Sequence, residues 1–382
     1  MRKINEPNYL GNFKCIGGDC EDSCCIGWDV DIDHKTYQSY KTVSDLRMKK
    51  QFERFIYENE WMTDPFVDFA KVELTQDKKC PFLNADKLCI IQKHLGEKYL
   101  SNVCTYYPRT VNRVNGIYEM TLSPSCPEAA RLILLSPEAM KMHQNETNVK
   151  YPIITFDVDQ RSKQYQKTLV EFFSEVRTIC LDTMMRSHQP IEKRLYNLAE
   201  WVERFQKLQS HKQAHQAPDV IMKFRNSEFE PAIFLSKTIR EYSDNMVKLL
   251  LPVDSEAYMT FSDEASKGDH EMGETIYNAY FSDRGYMLDN YFVNLMVKKL
   301  FPFTEADQVW DAFMMLFTRF AVIKVQLIGI AGFRGELTDE TVVAYIQSFS
   351  KVIEHHRTFV EMAVAYQRKS GLSKLSFIGT AL

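Results

Sequence analysis

Eight of the nine cysteines lie within the first 126 of 382 residues: Cys15, Cys20, Cys24, Cys25, Cys80, Cys89, Cys104 and Cys126. Only Cys180 falls in the rest of the chain. The skew splits the sequence by composition into a cysteine-rich domain, 1–135, and a cysteine-poor one, 136–382. The first must fold around whatever its thiols do. The second is long enough to build an ordinary apolar core.

The first thiols stand in FKCIGGDCEDSCCIGWDVDID, a C-x4-C-x3-C-C run. Gly17 and Gly18 suit a tight turn that brings backbone amides toward a negative centre. A helical turn over 20–25 would put Cys20 and Cys24 on one face and turn Cys25 away. Adjacent cysteines diverge, so Cys24 and Cys25 suit different irons of a cluster, or two centres, better than one small ion. The second group is KCPFLNADKLCIIQKHLGEKYLSNVCTYYPR. Pro81 favours an extended or turn backbone at Cys80. The turn signal at 84–87 lets Cys80 and Cys89 face each other across a small hairpin. Residues 90–99 read as a short helix, with Cys104 after it. Asn115-Gly116 marks a second hairpin. Pro127 suits a first helical position, so Cys126 falls at a helix N-terminus, where the thiolate form is favoured.

Four chemistries fit eight clustered thiols: disulfides, unliganded buried thiols, structural zinc at four thiolates per ion, and an iron–sulfur cluster held by three or four cysteines. The paired C-x2-C knuckles of zinc ribbons are missing, and spacing alone leaves zinc and iron nearly level. Cys180 lies in a helical pattern, VEFFSEVRTICLDTMM, and reads as a core residue.

From about residue 159 the signal is helical, with apolar residues at three- and four-residue intervals. Pro190 reads as the first residue of a helix through PIEKRLYNLAEWVERFQKL, and 210–218 as a polar loop. Further helices are expected in FLSKTIREYSDNMVKLLL, in DNYFVNLMVKKLF and in the strongly apolar QVWDAFMMLFTRFAVIKVQLIGI. One long final helix is expected over 339–367, capped by Thr338 or Asp339. The expected class is mainly α: a cysteine-rich metal-binding domain with short hairpins and helices, then an irregular helical domain.

Composition is that of a globular protein, with 45% hydrophobic and 26% charged residues. The net charge of -4 gives no bias toward nucleic acid. The N-terminal residues lack an apolar signal core, and the apolar stretch 320–333 is short and contains Lys324 and Gln326, so no membrane insertion is expected. A cytoplasmic setting follows as the default expectation. His211 with His215, and His355 with His356, read as surface pairs, not metal sites. The glycine-rich IGIAGFRGE, 328–336, follows a helical pattern, not a strand. It therefore reads as a helix-to-helix turn and not as a dinucleotide-type loop. The C-x3-C-x2-C spacing of radical enzymes is absent too.

The stretch 19–33, the phrase CPFLN…LC.IQ..LGE..LS..C..YPR and the later SPSCPEAARL together resemble the flagellin lysine-N-methylase (FliB-like) family. The C-x3-C-C core also resembles a wider group of zinc- or iron-chelating cysteine-cluster domains. The likeness covers 13 to about 135. It implies methyl transfer from S-adenosylmethionine to lysine amines of flagellin, and a [4Fe–4S] cluster on the N-terminal cysteines. Zinc remains the alternative metal.

Methyl transfer needs a neutral lysine amine, so an apolar, aromatic-lined slot is expected. Tyr106, Tyr107 and Arg109 follow Cys104 and are the candidate catalytic residues, Arg109 by gripping the donor's carboxylate. Trp28, Asp29 and Asp31 follow the other thiol group and have similar standing. Two other classes stay open: a non-catalytic metal-binding adaptor, and an iron–sulfur redox protein.

Overall fold

The structure is a computed structural model of the full chain. It describes all residues except 152, 225–235, 252–254, 357 and 382, and omits the side chains of 236, 237 and 355. The expected mainly α architecture holds. Small sheets and short helices make up the chain to about residue 158, and the described residues from 163 on are helical apart from their connections.

Strand β1 (Arg2–Pro7) opens the chain, and β2 (Asp31–Ile32) follows the first thiol run. Next come α1 (His34–Lys41), α2 (Leu46–Phe55), β3 (Ile56–Glu58) and β4 (Ala70–Val72). Asp33 and Asp45 cap the two helices by accepting backbone amides. The three strands form an antiparallel sheet in the order β2-β4-β3. A small core lies under it, in which the rings of Tyr40 and Phe52 stack at 3.9 Å beside Phe82, Ile91 and Cys80.

The second cysteine group runs through α3 (Ile90–Leu95) and α4 (Asn102–Tyr106) into β5 (Arg109–Val114) and β6 (Ile117–Leu122). Asn115 and Gly116 both take positive φ, as the expected hairpin requires. Helix α5 (Pro127–Leu134) begins with Pro127, and Cys126 is its N-cap. Strands β7 (Met142–Thr147) and β8 (Asp157–Val158) complete a five-stranded sheet, β7-β1-β6-β5-β8. This sheet therefore draws strands from both sides of residue 135. Its register comes from long-range pairing, β1 parallel to β6 and antiparallel to β7.

The helical part comprises α6 (Phe173–Met184), α7 (Ile191–Ser210), α8 (Ala217–Phe224), α9 (Ser236–Leu250), α10 (Glu256–Lys267) and α11 (His270–Phe281). Helices α12 (Tyr286–Lys298), α13 (Val309–Arg334), α14 (Asp339–His355), α15 (Phe359–Lys369) and α16 (Leu375–Ala381) complete it. Cys180 is fully buried in this core, as expected. Helix α13 is long and apolar enough to cross a membrane by length and composition, but 94% of its apolar window is buried inside the protein. The core also takes in Tyr9, Phe13, Leu122 and the apolar face of α5 from the cysteine-rich part.

Several sequence expectations need correction. Residues 20–25 form bends and turns, and the helical turn sits earlier, as a 3-10 turn at Gly17–Asp19. Pro190 is the N-cap of α7, one position before the helix. The expected loop at 210–218 is shorter, because a 3-10 turn at Ala214–Gln216 leads straight into α8. The expected final helix is two helices, α14 and α15, broken around His356, with Thr338 as the cap of the first. The glycine-rich 328–336 is not a turn. Helix α13 runs through it to Arg334, and Gly335 ends it at φ +76°.

Gly329 and Gly332 instead let α13 approach α10 and α11 closely. A Cβ on Gly332 would lie 1.9 Å from the Asp269 carbonyl oxygen, and one on Gly329 2.3 Å from that of Ala265. Gly332→Ala is expected to cost about 2 kcal/mol of unfolding free energy by urea titration, since backbone must move to admit the methyl group. Arg319 holds Glu305 at 2.6 Å in the interior. Burial pushes Glu305 up, but Arg319 and Lys299 outweigh it, so its pKa lies below the ordinary value. A lowered folded pKa gives stability that is full above the ordinary value of about 4.3 and is lost as pH falls through the folded one. Glu305→Gln is expected to be less stable near neutrality and to show a shallower loss in this acid window, measured by urea titrations across pH.

Candidate thiol centre and its polar seam

The thiols are gathered by short loops. Residues 84–88 make the expected turn, with Lys87 at φ 58° and Leu83 bridged to Cys89. The Cys80 amide donates to the Cys25 carbonyl at 2.8 Å, which ties the second cysteine group to the first. Gly18 packs against this turn: a Cβ there would meet the Asp86 carbonyl at 2.8 Å.

Cys24 is the hub. Electrostatic interactions link it to Cys20, Cys25, Cys80, Cys89, Cys104 and Cys126. Cys25 also feels Cys80 and Cys104, and Cys104 feels Cys89. Cys15, Cys24 and Cys104 are the solvent-exposed residues of the eight. Backbone amides aim at several sulfurs: those of Ile91 and Gln92 at Cys89, of Glu128 and Ala129 at Cys126, and of Phe82 at Cys80. The first two pairs are helix N-termini, which favour a thiolate.

Burial nevertheless dominates for most of these thiols. It pushes Cys80 and Cys126 up to about 12 and raises Cys20, Cys89 and Cys104. Cys24 and Cys25 share a hydrogen bond that holds Cys24 below the ordinary thiol value and Cys25 well above it. Lys351 is the cation that acts on Cys24.

In chemistry this donor set fits a thiolate-bound metal or cluster, with several thiols within electrostatic reach of one another and backbone amides near some of them. Ligating geometry is not preformed. Among the described residues no three Cys, His, Asp or Glu side chains are arranged to hold one ion. All nine cysteines are free thiols.

A polar seam joins the centre to the helical core. The Trp28 indole donates to the Cys24 carbonyl, and its ring meets Tyr107 edge-on at 4.7 Å. The Tyr107 hydroxyl is 3.1 Å from that of Ser125, which is 2.7 Å from that of Ser123. Ser123 donates to Glu354 and accepts from Lys298 at 3.0 Å, and Lys298 pairs with Glu354 at 2.7 Å. Burial lowers Lys298 from the ordinary amine value, with Glu354 opposing. Burial also raises Glu354, but Lys298 and Ser123 prevail and lower it. Nearby, Asp22 accepts from Lys351 at 2.5 Å and from Gln347 at 2.9 Å, both on α14.

Of the three candidate catalytic residues, Tyr106 and Arg109 lie within electrostatic reach of each other. Tyr107 points into the seam. Tyr106 meets Tyr151 edge-on at 6.1 Å, and the Arg109 guanidinium lies 5.0 Å over Phe13 while acting electrostatically on Tyr106 and Tyr151. Asp29 and Asp31 flank Lys71 at 3.5 and 2.9 Å. His211 is the C-cap of α7, and His215 lies in the 3-10 turn that follows. His356 caps α14, and the His355 side chain lies outside the described residues. Sequence reasoning missed Asp22, Ser123, Lys298, Gln347, Lys351 and Glu354. The available signal was charge inside apolar helical patterns, at Lys298 above all.

Fold and site define a helical protein built against a lobe of gathered thiols. The sequence profile of the FliB lysine N-methylase C-terminal domain matches residues 177–378, and the chain belongs to that family. The flagellar biosynthetic protein FliU of Salmonella muenchen is 30% identical over 163 residues, 42% of this chain and 94% of that protein. Lysine-N-methylases of Salmonella typhimurium and Salmonella choleraesuis are each 29% identical over 200 residues, 52% of this chain. The chain spans 46% of the length of each of these two. No solved structure matches the chain.

Lys298→Met is expected to cost about 3 kcal/mol or more, because it strands the Glu354 carboxylate in the interior. The double variant Lys298→Met/Glu354→Leu should recover much of that loss. Urea titration of all three proteins measures the difference.

Proposed function

We propose that the protein is a cytoplasmic lysine N-methyltransferase that modifies flagellin, takes its methyl group from S-adenosylmethionine and carries a [4Fe–4S] cluster on its N-terminal cysteines. The carrying observation is membership of the FliB lysine N-methylase family. The relatives' names, lysine-N-methylase and flagellar biosynthetic protein, support the reaction and its flagellar setting. The gathered thiols support the cluster.

In the reaction the lone pair of a neutral lysine Nζ attacks the methyl carbon. The bond from that carbon to the sulfonium sulfur breaks, its electrons stay on sulfur, and the thioether leaves. The new ammonium then loses a proton to solvent or a carboxylate. Part of the task falls to residues that disfavour the charged amine, and aromatic walls do this while still attracting the cation on approach. Tyr106 and Tyr151 supply such walls beside Arg109, which holds the donor's carboxylate. Tyr107, locked between Trp28 and Ser125, positions the end of helix α4, which carries Cys104.

The cluster's ligands come from among Cys15, Cys20, Cys24, Cys25, Cys80, Cys89, Cys104 and Cys126. Held there, a cluster would supply irons that bind the thiolates, and an iron left open would grip the donor's amino and carboxylate groups in place of Arg109.

Protein purified without oxygen is expected to hold about four irons and four sulfides per chain. Zinc without sulfide would overturn the iron assignment. Cys24→Ala is expected to lose the metal, and Cys180→Ala to keep it. Incubation with flagellin and the methyl donor should raise the flagellin mass in steps of one methyl group, and an unchanged mass would refute the enzymatic reading. Arg109→Ala is expected to raise KM for the donor about tenfold with the thermal melt unchanged, which corresponds to loss of one charge-assisted contact. An unchanged KM would remove Arg109 from the donor site.

A further inference from the structure

The segment between β3 and β4 shows its apolar side chains to solvent. Trp61 is 85% exposed and Phe66 64%, with Tyr57 and Met62 also exposed. Every residue from 60 to 66 is exposed, although the run includes Trp, Met, Pro and Phe. Single exposed apolar residues are ordinary, whereas a contiguous group marks a contact surface.

The loop is held firmly. The Asn59 amide donates to the Phe69 carbonyl at 2.9 Å and closes it. Asp68 accepts from the amides of Thr63 and Asp64 and from the Thr63 hydroxyl, at 2.7 to 3.1 Å. The Trp61 amide donates to the Asn59 side chain at 3.2 Å, and the Phe66 amide to Asp64 at 2.8 Å. From outside, the His34 amide donates to the Pro65 carbonyl at 2.8 Å, and the Asn102 side chain to that of Phe66 at 3.0 Å. A polypeptide docking here meets a loop whose backbone is already fixed, so little backbone ordering entropy opposes binding.

Charge decides the partner. Residues 57–68 hold Glu58, Glu60, Asp64 and Asp68 and no Lys or Arg. Lys41 partly neutralises Glu58 at 3.6 Å. The remaining negative charge repels an anionic membrane and draws basic partners. Ring faces of Trp and Tyr attract ammonium groups as well. We propose that the 57–68 loop is a docking platform for a lysine-bearing stretch of another protein, with Trp61 and Phe66 as its anchors. That this partner is also the methylated polypeptide rests on the enzymatic reading above.

The test uses the full chain and two immobilised peptides, one of alternating lysine and serine and one of alternating glutamate and serine. The unmodified protein is expected to bind the lysine peptide at least about tenfold more tightly, a difference of about 1.4 kcal/mol. Trp61→Ala/Phe66→Ala should abolish that preference while the thermal melt stays unchanged, because both side chains face solvent. Met259→Ala/Met272→Ala, two exposed apolar residues elsewhere, should retain it. Equal binding of both peptides, no binding at all, or an unchanged preference in the Trp61/Phe66 variant would overturn the platform. So would sedimentation showing a dimer that this variant splits, since a second copy would then cover the loop. Methylation of flagellin by the unmodified protein is a separate readout. Its failure would refute the enzymatic reading and leave the peptide result standing.

Discussion

Beside a shared apolar core and the Glu119–Arg177 pair, the two parts of the molecule are joined by a buried carboxylate, that of Glu354. Its side chain is 12% exposed and pairs with Lys298, itself 9% exposed. A buried pair of this kind adds little net stability, but removing one partner is costly. Ser123 sits between the two charges and passes the network on to Ser125 and Tyr107. From there it reaches Trp28 and the Cys24 backbone. The thiol centre and the helical core therefore share one satisfied polar network. The Asp22 contacts to Lys351 and Gln347 fasten it at a second point.

This arrangement bears on function. Helices α12 and α14 supply Lys298 and Glu354 and lie within the matched FliB C-terminal domain. Loops outside that domain bring the thiols to it. The seam thus ties the centre to a helical frame some of whose joints, such as α13 on α10 and α11, admit no added methyl group. Within the proposed enzymatic reading, coupling of this kind would let the centre position the donor without contributing to the acceptor's surface. The 57–68 loop stands on the small sheet under the thiols and faces solvent instead.

Local signals were legible in the sequence wherever they act over a few residues. Asn115-Gly116 made its hairpin, Pro127 started its helix with Cys126 as the cap, and the apolar periodicity located α6, α7, α12 and α13. The break between α14 and α15 was not legible, because the apolar pattern runs on across it. Gly329 and Gly332 read as a turn because the close approach of α10 and α11 is a tertiary fact. Strand β7 escaped notice because its residues are mostly exposed and its register is set by β1, over a hundred residues away. In the site, clustering of the thiols was legible from their density. The seam was not, since Ser123, Lys298 and Glu354 come from three distant segments, and only folding brings them together.

Through this seam the cysteine lobe and the helical core are expected to unfold as one cooperative unit. Hydrogen exchange on the full chain tests it most directly. Phe52→Ala opens the small core of the cysteine lobe, far in sequence from α14. If the seam couples the halves, amides of α14 near Lys351 and Glu354 will exchange faster in this variant, while those of α7 keep their protection. Unchanged protection along α14, with faster exchange confined to 30–100, would contradict the account.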